Sequence, residues 1–396
     1  MPLPTPFHAR TAASCRSAQW RNWSGYMSVI SYGHTHDYEY FAIRNSAGLI
    51  DVTPLFKYEI NGPDAANLID RIITRNAHAC RIGQVLYTPW CDDEGKIIDD
   101  GTVQRLGEQR FRMTAARPGL RWFHDCGYGM DVQIEDISAK VAALSLQGPN
   151  AREILKQVYS GADLDKLKFF YLAEGEIGGA AVVLTRTGYT GDLGYEIWVE
   201  NAAAESLWDT LLEAGRGYGI TPAGLDAMDI ARIEAGLLLT DVDYISAEKA
   251  LIPSRKSSPF EAGLGWAVNL KKPRFVGRPA LAQEKAAGSP WQFVGLEVSW
   301  KDIERLYATV DLPPQVAGKA SRVAVPLYAG KKQVGQATSS TFSPLLKKFI
   351  ALATVEQKYA NPGTVLDYEI TVEFTRRRAE AVVVKLPFFN PERKRA

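Results

Sequence analysis

Two adjacent carboxylates, Asp99 and Asp100, sit inside an otherwise apolar run, Ile97-Ile-Asp-Asp-Gly-Thr-Val103. The run reads as the second strand of a hairpin that opens at Val85-Leu-Tyr-Thr-Pro-Trp-Cys91 and turns through Asp92-Asp-Glu-Gly-Lys96. Side chains alternate along a strand, so the two acids are expected on opposite faces, with at least one inward. A carboxylate on an apolar face is costly to bury: it is either paired or kept for acid, base or electrostatic work. The acidic turn lacks the alternating ligand spacing of a calcium loop and reads as solvated.

A third carboxylate, Glu196, lies within the apolar strand that follows Gly188-Tyr-Thr-Gly-Asp-Leu-Gly-Tyr195. So many glycines before a strand fit either the close approach of a flat ligand or an irregular turn. A carboxylate suits the edge of a pterin or guanine ring, where two N–H donors lie side by side; a salt bridge to an arginine is the competing explanation. The histidines offer less. His34 and His36 with Asp37, and His78 with Cys80, lack the rest of a ligand set, so no metal is expected. Phosphate-loop, nucleophile-elbow and dinucleotide fingerprints are absent, which argues against acyl and hydride transfer.

The elements that must hold these acids show an internal repeat. Phe56-Lys-Tyr-Glu-Ile60 leads into Gly62-Pro-Asp64 and a helix start, and Ala143-Leu-Ser-Leu146 leads into Gly148-Pro-Asn150 and another. Asp64 and Asn150 are expected to cap those helices. A third passage runs from the strand 195–199 into a helix over 203–214, giving three related α+β units with antiparallel sheets. The pattern predicts a third meander strand at 110–115, a helix over 222–235 and a strand-like run from Gly263. After Gly288-Ser-Pro290 come short alternating strands at 294–298, 323–328, 335–338, 350–355 and 370–373, the pattern of an antiparallel barrel or sandwich. The expected domains are an N-terminal arm over 1–22, where Pro2, Pro4 and Pro6 argue against a helix, a body of two α+β subdomains over 23–287, and a barrel over 288–396.

With 46 basic and 45 acidic side chains the net charge is +1, so neither nucleic acid nor an anionic membrane is indicated as a partner. Apolar runs such as 141–146 and 180–184 fall far short of the roughly 20 residues that cross a bilayer. Cys15, Cys80, Cys91 and Cys126 show no paired spacing, so a reducing, cytoplasmic setting is expected.

Taken in order, Arg44-Asn-Ser-Ala-Gly-Leu-Ile-Asp-Val52, Ile98-Asp-Asp100, Leu146-Gln-Gly-Pro-Asn150, Thr187-Gly-Tyr-Thr-Gly191 with Tyr195-Glu196, Arg232-Ile-Glu-Ala-Gly236, Gly265-Trp266, Phe275-Val-Gly-Arg278 and Thr341-Phe-Ser-Pro344 resemble the glycine-cleavage T-protein (aminomethyltransferase) family, over about residues 23–389. The resemblance implies a three-domain α+β cloverleaf around a folate cavity, partly closed by a C-terminal antiparallel β-barrel, with tetrahydrofolate as cofactor. It implies that Asp99 is the catalytic aspartate beside the reactive folate nitrogen and that Glu196 binds the pterin. It also places Leu55, Leu86, Trp266 and Tyr189 along the folate, with Asp100 and Met228 on the substrate side. Two departures remove polar groups from that cavity: Met228 stands where the family has arginine, and Thr114-Ala-Ala116 where it has Ser-Asn-Ala.

Other stretches, Lys166-Leu-Lys-Phe-Phe170 with Ala173-Glu174 and Ser299-Trp-Lys-Asp-Ile303 with Tyr307-Ala308, are similar to folate-dependent aromatic O-demethylases of the same superfamily. The leading expectation is therefore an enzyme moving a methyl group from a small O-, N- or S-methylated donor to tetrahydrofolate. The alternatives are a glycine-cleavage-type aminomethyltransferase served by a lipoyl carrier protein, and a non-catalytic folate-binding accessory protein of iron–sulfur metabolism. The Lys-Gly-Cys-x-x-Gly-Gln-Glu motif of the latter is absent. A purely scaffolding role is the remaining reading, since a fold does not fix a chemistry.

Overall fold

The hairpin around Asp99 forms, and it anchors a five-stranded antiparallel sheet. In the computed structural model, which describes residues 1–396, Val85–Cys91, Ile97–Arg105, Arg110–Ala115, Phe56–Asn61 and Gln133–Asp136 lie side by side in that order. One face of this first sheet is apolar because Leu86, Trp90, Val103 and Met113 alternate onto it, and it packs on the helices Ala65–Ile72 and Leu120–Cys126. Ala65, Leu68, Ile69 and Ile72 are the buried stripe of the former helix. The ladder pairs Tyr87 with Thr102, Gln104 with Arg112 and Lys57 with Thr114 put these side chains on the opposite, polar face.

The second sheet runs Tyr159–Gly161, Leu172–Ile177, Ala180–Thr185, Gly194–Glu200, Val141–Gln147, Ala47–Asp51, Ile220–Pro222. Helices Ala151–Val158 and Ala204–Gly215 bury Ile154, Leu155, Leu207 and Leu211 against its apolar face. Its other face carries Thr185, Glu196 and Trp198. Backbone bonds from Val85 N to Phe170 O and from Leu172 N to Gly83 O, each 2.8 Å, tie the edges of the two sheets together.

The expected third unit does not stand alone. The strand Gly194–Glu200 and the helix after it belong to the second sheet, which also contains one parallel pair, Ile220–Pro222 on Ala47–Leu49. Pro222 ends that strand, and the helix spans Leu225–Glu234; a proline can close an edge strand where it owes no ladder bond. The Pro-rich arm holds a helix after all, His8–Ser14, because its prolines precede the first turn rather than interrupt it. Gly265–Ala267 is a 3₁₀ turn, not a strand. The expected caps also differ. Asp64 accepts from the Asn67 side chain and from Asp131 N, while the Asn150 amide donates to Tyr218 O, so both tie neighbouring segments instead of closing helices.

The C-terminal strands close into a six-stranded antiparallel barrel in the order Trp291–Val298, Lys348–Glu356, Lys332–Ser343, Val325–Ala329, Val365–Val372, Thr375–Val384. The last strand escaped the sequence reading because Thr375-Arg-Arg-Arg378 hides its alternation behind charge. A helix, Trp300–Ala308, also lies here, with Ser299 Oγ accepting from Asp302 N at 3.2 Å as its N-cap. Barrel and body are joined through Arg232, fully buried on the helix Leu225–Glu234. It bonds to Asp229 at 2.8 Å, Asp243 at 2.6 Å and the barrel's Ser339 at 2.8 Å. No helix is long and apolar enough to cross a membrane.

Candidate active site

A β-bulge sets up the carboxylates. Cys91 pairs with Ile97 but Trp90 pairs with Asp99, so Ile98 is an extra residue in its strand, and the local twist rises. Two residues on, Gly101 lets the strands close: a Cβ there would lie 1.9 Å from Thr114 O. The ladder keeps Asp99 on the Trp90 face and Asp100 on the Tyr87 face, as alternation requires, yet the two acids converge on the same hydroxyls. Thr240 Oγ1 lies 3.2 Å from Asp99 Oδ1 and 3.3 Å from Asp100 Oδ1. Tyr244 OH donates to Asp100 Oδ1 and lies 3.4 Å from Asp99 Oδ1. Tyr87 OH donates to Asp100 Oδ2 at 2.7 Å, and Arg117 N donates to Asp99 Oδ2 at 2.9 Å.

No cation neutralises this pair; every partner is a hydroxyl or a backbone amide. Burial, and then the neighbouring Asp100 charge, push the Asp99 carboxyl up to about 8. Burial raises Asp100 too, against the lowering effect of its hydroxyl donors. Burial and the Asp100 charge hold Tyr87 and Tyr244 well above the usual phenol range, so both remain donors. Two acids sharing hydroxyls in this way hold one proton between them near neutrality. One oxygen can then take or return a proton while the other keeps a negative charge beside a developing cation.

Glu196 answers from the second sheet. It has no arginine partner: Thr187 Oγ1 donates to its Oε2 at 2.5 Å and Thr185 Oγ1 lies 3.4 Å away, while Oε1 accepts nothing from the protein. Burial raises its carboxyl, partly offset by those hydroxyls. A half-buried carboxylate with one free oxygen fits the paired N–H donors of a pterin edge. The preceding glycines, by contrast, serve the protein itself. The Gln147 side chain threads between Gly188 and Gly194, where a Cβ would come within 2.1 and 2.2 Å of its Oε1. That oxygen accepts from Thr190 Oγ1 at 2.7 Å.

Leu55, Tyr189 and Met228 meet in one apolar cluster with Trp198, forming a wall on the Glu196 side. The Tyr189 hydroxyl donates to Leu238 O, and Leu238 packs in the cluster touched by Tyr87 and Tyr244, linking this wall to the acid pair. Trp266 is 64% exposed, stacked on Tyr87 at 6.1 Å with Arg75 over its ring at 5.7 Å, at the rim of the same face. Leu86 is one residue out of phase: it is 4% exposed inside the first sheet's core, while Tyr87 faces the acids. Sequence reading missed Tyr87, Arg117, Thr240 and Tyr244. Tyr87 was recoverable from its alternation with Leu86, whereas Thr240 and Tyr244 lie in a segment with no periodicity, held by a bridge between them and by Arg232 on Asp243.

Residues 7–272 match the GCVT N-terminal domain and residues 309–390 the glycine cleavage T-protein C-terminal barrel domain. The chain belongs to the glycine cleavage T-protein family. It is 34% identical over 391 residues to an aminomethyltransferase of Halothermothrix orenii, covering 96% of this chain and 98% of that one. It is also 34% identical over 394 residues to one of Moorella thermoacetica, covering 98% of each. Its fold matches the structure of glycine cleavage system aminomethyltransferase T from Bartonella henselae, with a TM-score of 0.83 at 24% identity over 98% of this chain and 99% of that one. The family's co-substrate is tetrahydrofolate.

Proposed function

We propose that this chain is a tetrahydrofolate-dependent aminomethyltransferase, with Asp99 as its catalytic acid and Glu196 as its pterin ligand. The observation that carries the reading is an Asp99–Asp100 pair without a cation on one sheet together with a Glu196 on the other whose Oε1 has no protein partner. When bound, tetrahydrofolate supplies the nucleophilic nitrogen that takes the one-carbon unit. The chain's own groups do the rest. Glu196, Leu55 and Tyr189 orient a flat ring, and Tyr87 and Trp266 offer a stacked edge at the rim. The acid pair holds a proton and a negative charge where the transferred carbon becomes electron-poor. The relatives are aminomethyltransferases across nearly their full length, which supports an aminomethyl donor over the methylated donors expected from sequence.

One observation favours a second reading, methyl transfer from a small O-, N- or S-methylated donor. Met228, 8% exposed, leaves the wall beside Leu55 apolar and without a cation, and that suits a neutral or cationic methylated compound rather than an anionic one. The two readings separate by product. Incubated with tetrahydrofolate and an aminomethylated lipoyl carrier protein, the chain is expected to give 5,10-methylene-tetrahydrofolate by mass spectrometry. Formation of 5-methyl-tetrahydrofolate from a methoxyaromatic, methylamine or sulfonium panel, with none from the carrier, would establish the second reading instead.

A further inference from the structure

The wall that carries Met228 is met by a piece of the barrel domain that is neither helix nor strand. Residues 309–324 join the helix Trp300–Ala308 to the strand Val325–Ala329 as an irregular strap. Three contacts seat the end of that strap. Lys319 Nζ lies 2.9 Å from Asp226 Oδ2, Arg322 Nε donates to Asp229 Oδ2 at 2.6 Å, and Ser321 exchanges backbone bonds of 2.7 and 3.0 Å with Ser340. Asp226 and Asp229 are each 4% exposed and stand one turn apart on the helix Leu225–Glu234, before and after Met228 in the chain. Arg21 comes within 3.7 Å of Asp226 and Arg232 shares Asp229, so each acid meets the strap's cation on one side and the body's on the other. The backbone is thereby fixed on both sides of Ala320.

Ala320 is the one side chain packed against both the cluster of Leu55, Tyr189 and Met228 and the cluster of Tyr87, Leu238 and Tyr244. It therefore bridges the apolar wall and the hydroxyls that donate to Asp100. Leu55, Tyr87, Tyr189 and Ala320 are all half-buried, so solvent reaches this junction. A junction closed for packing alone would carry a large apolar side chain here, since interiors fill to crystal density. We propose that Ala320 sets the size of the one-carbon donor, its single methyl leaving the gap through which the donor reaches the acid pair, with Lys319 and Arg322 as positioning residues. The donor is that of the transferase reading above, on which this inference rests. The strap belongs to the barrel, whereas Glu196 and the acid pair stand on the two sheets, so donor and folate should respond separately to changes at Ala320.

The test measures the KM of the full chain for an aminomethylated lipoyl carrier, by formation of 5,10-methylene-tetrahydrofolate, beside its tetrahydrofolate Kd by calorimetric titration. Ala320→Leu narrows the gap and should raise the carrier's KM about 10- to 100-fold, the scale of overpacking by a few methylenes, with the tetrahydrofolate Kd unchanged. Ala320→Val should fall between the wild type and Ala320→Leu. A rise graded by side-chain volume at constant folate affinity is the signature of a size limit, which a loss of folding does not give. If KM is unchanged in both variants, or if the tetrahydrofolate Kd weakens in step with KM, Ala320 does not set the donor's size and the proposal is overturned. A wild type inactive with the carrier would overturn the aminomethyl reading and this inference together, a result distinct from an active wild type with unaltered variants, which overturns the inference alone.

Discussion

At the scale of single residues, the acid pair makes the sharpest commitments. The Asp99 carboxyl ionises near 3.8 in an unfolded chain and at about 8 in the folded one. The folded state therefore binds the extra proton between those values. The group's contribution to stability falls as pH rises from about 4 to about 8 and is constant above that. Asp99→Asn removes this dependence, so its melting temperature should gain on the wild type progressively from about pH 5 to about pH 8 in calorimetric scans. Transfer depends on the pair holding one proton and one charge, so kcat should fall as pH rises through about 8. Part of that elevation comes from the charge on Asp100. In a pH–rate profile, Asp100→Asn should move the break to lower pH.

Elements decide where such residues can stand, and here sequence and structure part company in instructive places. The Asp99 hairpin and its meander partner were legible because apolar alternation, an acidic turn and glycine all coincide between Val85 and Ala115. The barrel was legible as a class but lost its most charged strand. The convergence of Asp99 and Asp100 was not legible, since a bulge of one residue is silent in composition and the hydroxyls that join them come from the irregular 240–244 stretch. The glycines before Glu196 were visible, but the neighbour that requires them, Gln147, lies 41 or more residues earlier in the chain and is brought there only by the Val141–Gln147 ladder.

Lys272 shows how an element end is held. Buried at 3% exposure, it donates to Ile73 O at 2.8 Å, Arg75 O at 2.7 Å and also Asp70 O, closing the end of the helix Ala65–Ile72 and fixing the backbone that aims Arg75 at Trp266. Lys272→Met keeps the volume and strands those carbonyls. It should cost about 2–4 kcal/mol of stability, read as a lower urea midpoint.

Across the whole molecule, the site depends on two sheets, a barrel and the connections that keep them in register. Arg232 is the central connection, because its two acids come from the body and its serine from the barrel. Arg232→Met leaves Asp243 buried without its cation, while Asp229 keeps Arg322 at 2.6 Å. It should destabilise the chain by about 3–5 kcal/mol and split thermal unfolding into separate barrel and body transitions in calorimetry. The division of labour between the sheets is tested most directly by one paired experiment: tetrahydrofolate affinity and turnover with the aminomethylated carrier for the wild type, Glu196→Gln and Asp99→Asn. Glu196→Gln should lose about 10- to 100-fold in affinity, the scale of charge-assisted hydrogen bonds. Asp99→Asn should bind tetrahydrofolate about as the wild type does while turnover falls by about 10²- to 10⁴-fold. An Asp99→Asn protein that turns over normally, or a Glu196→Gln protein that binds folate as tightly as the wild type, would contradict it.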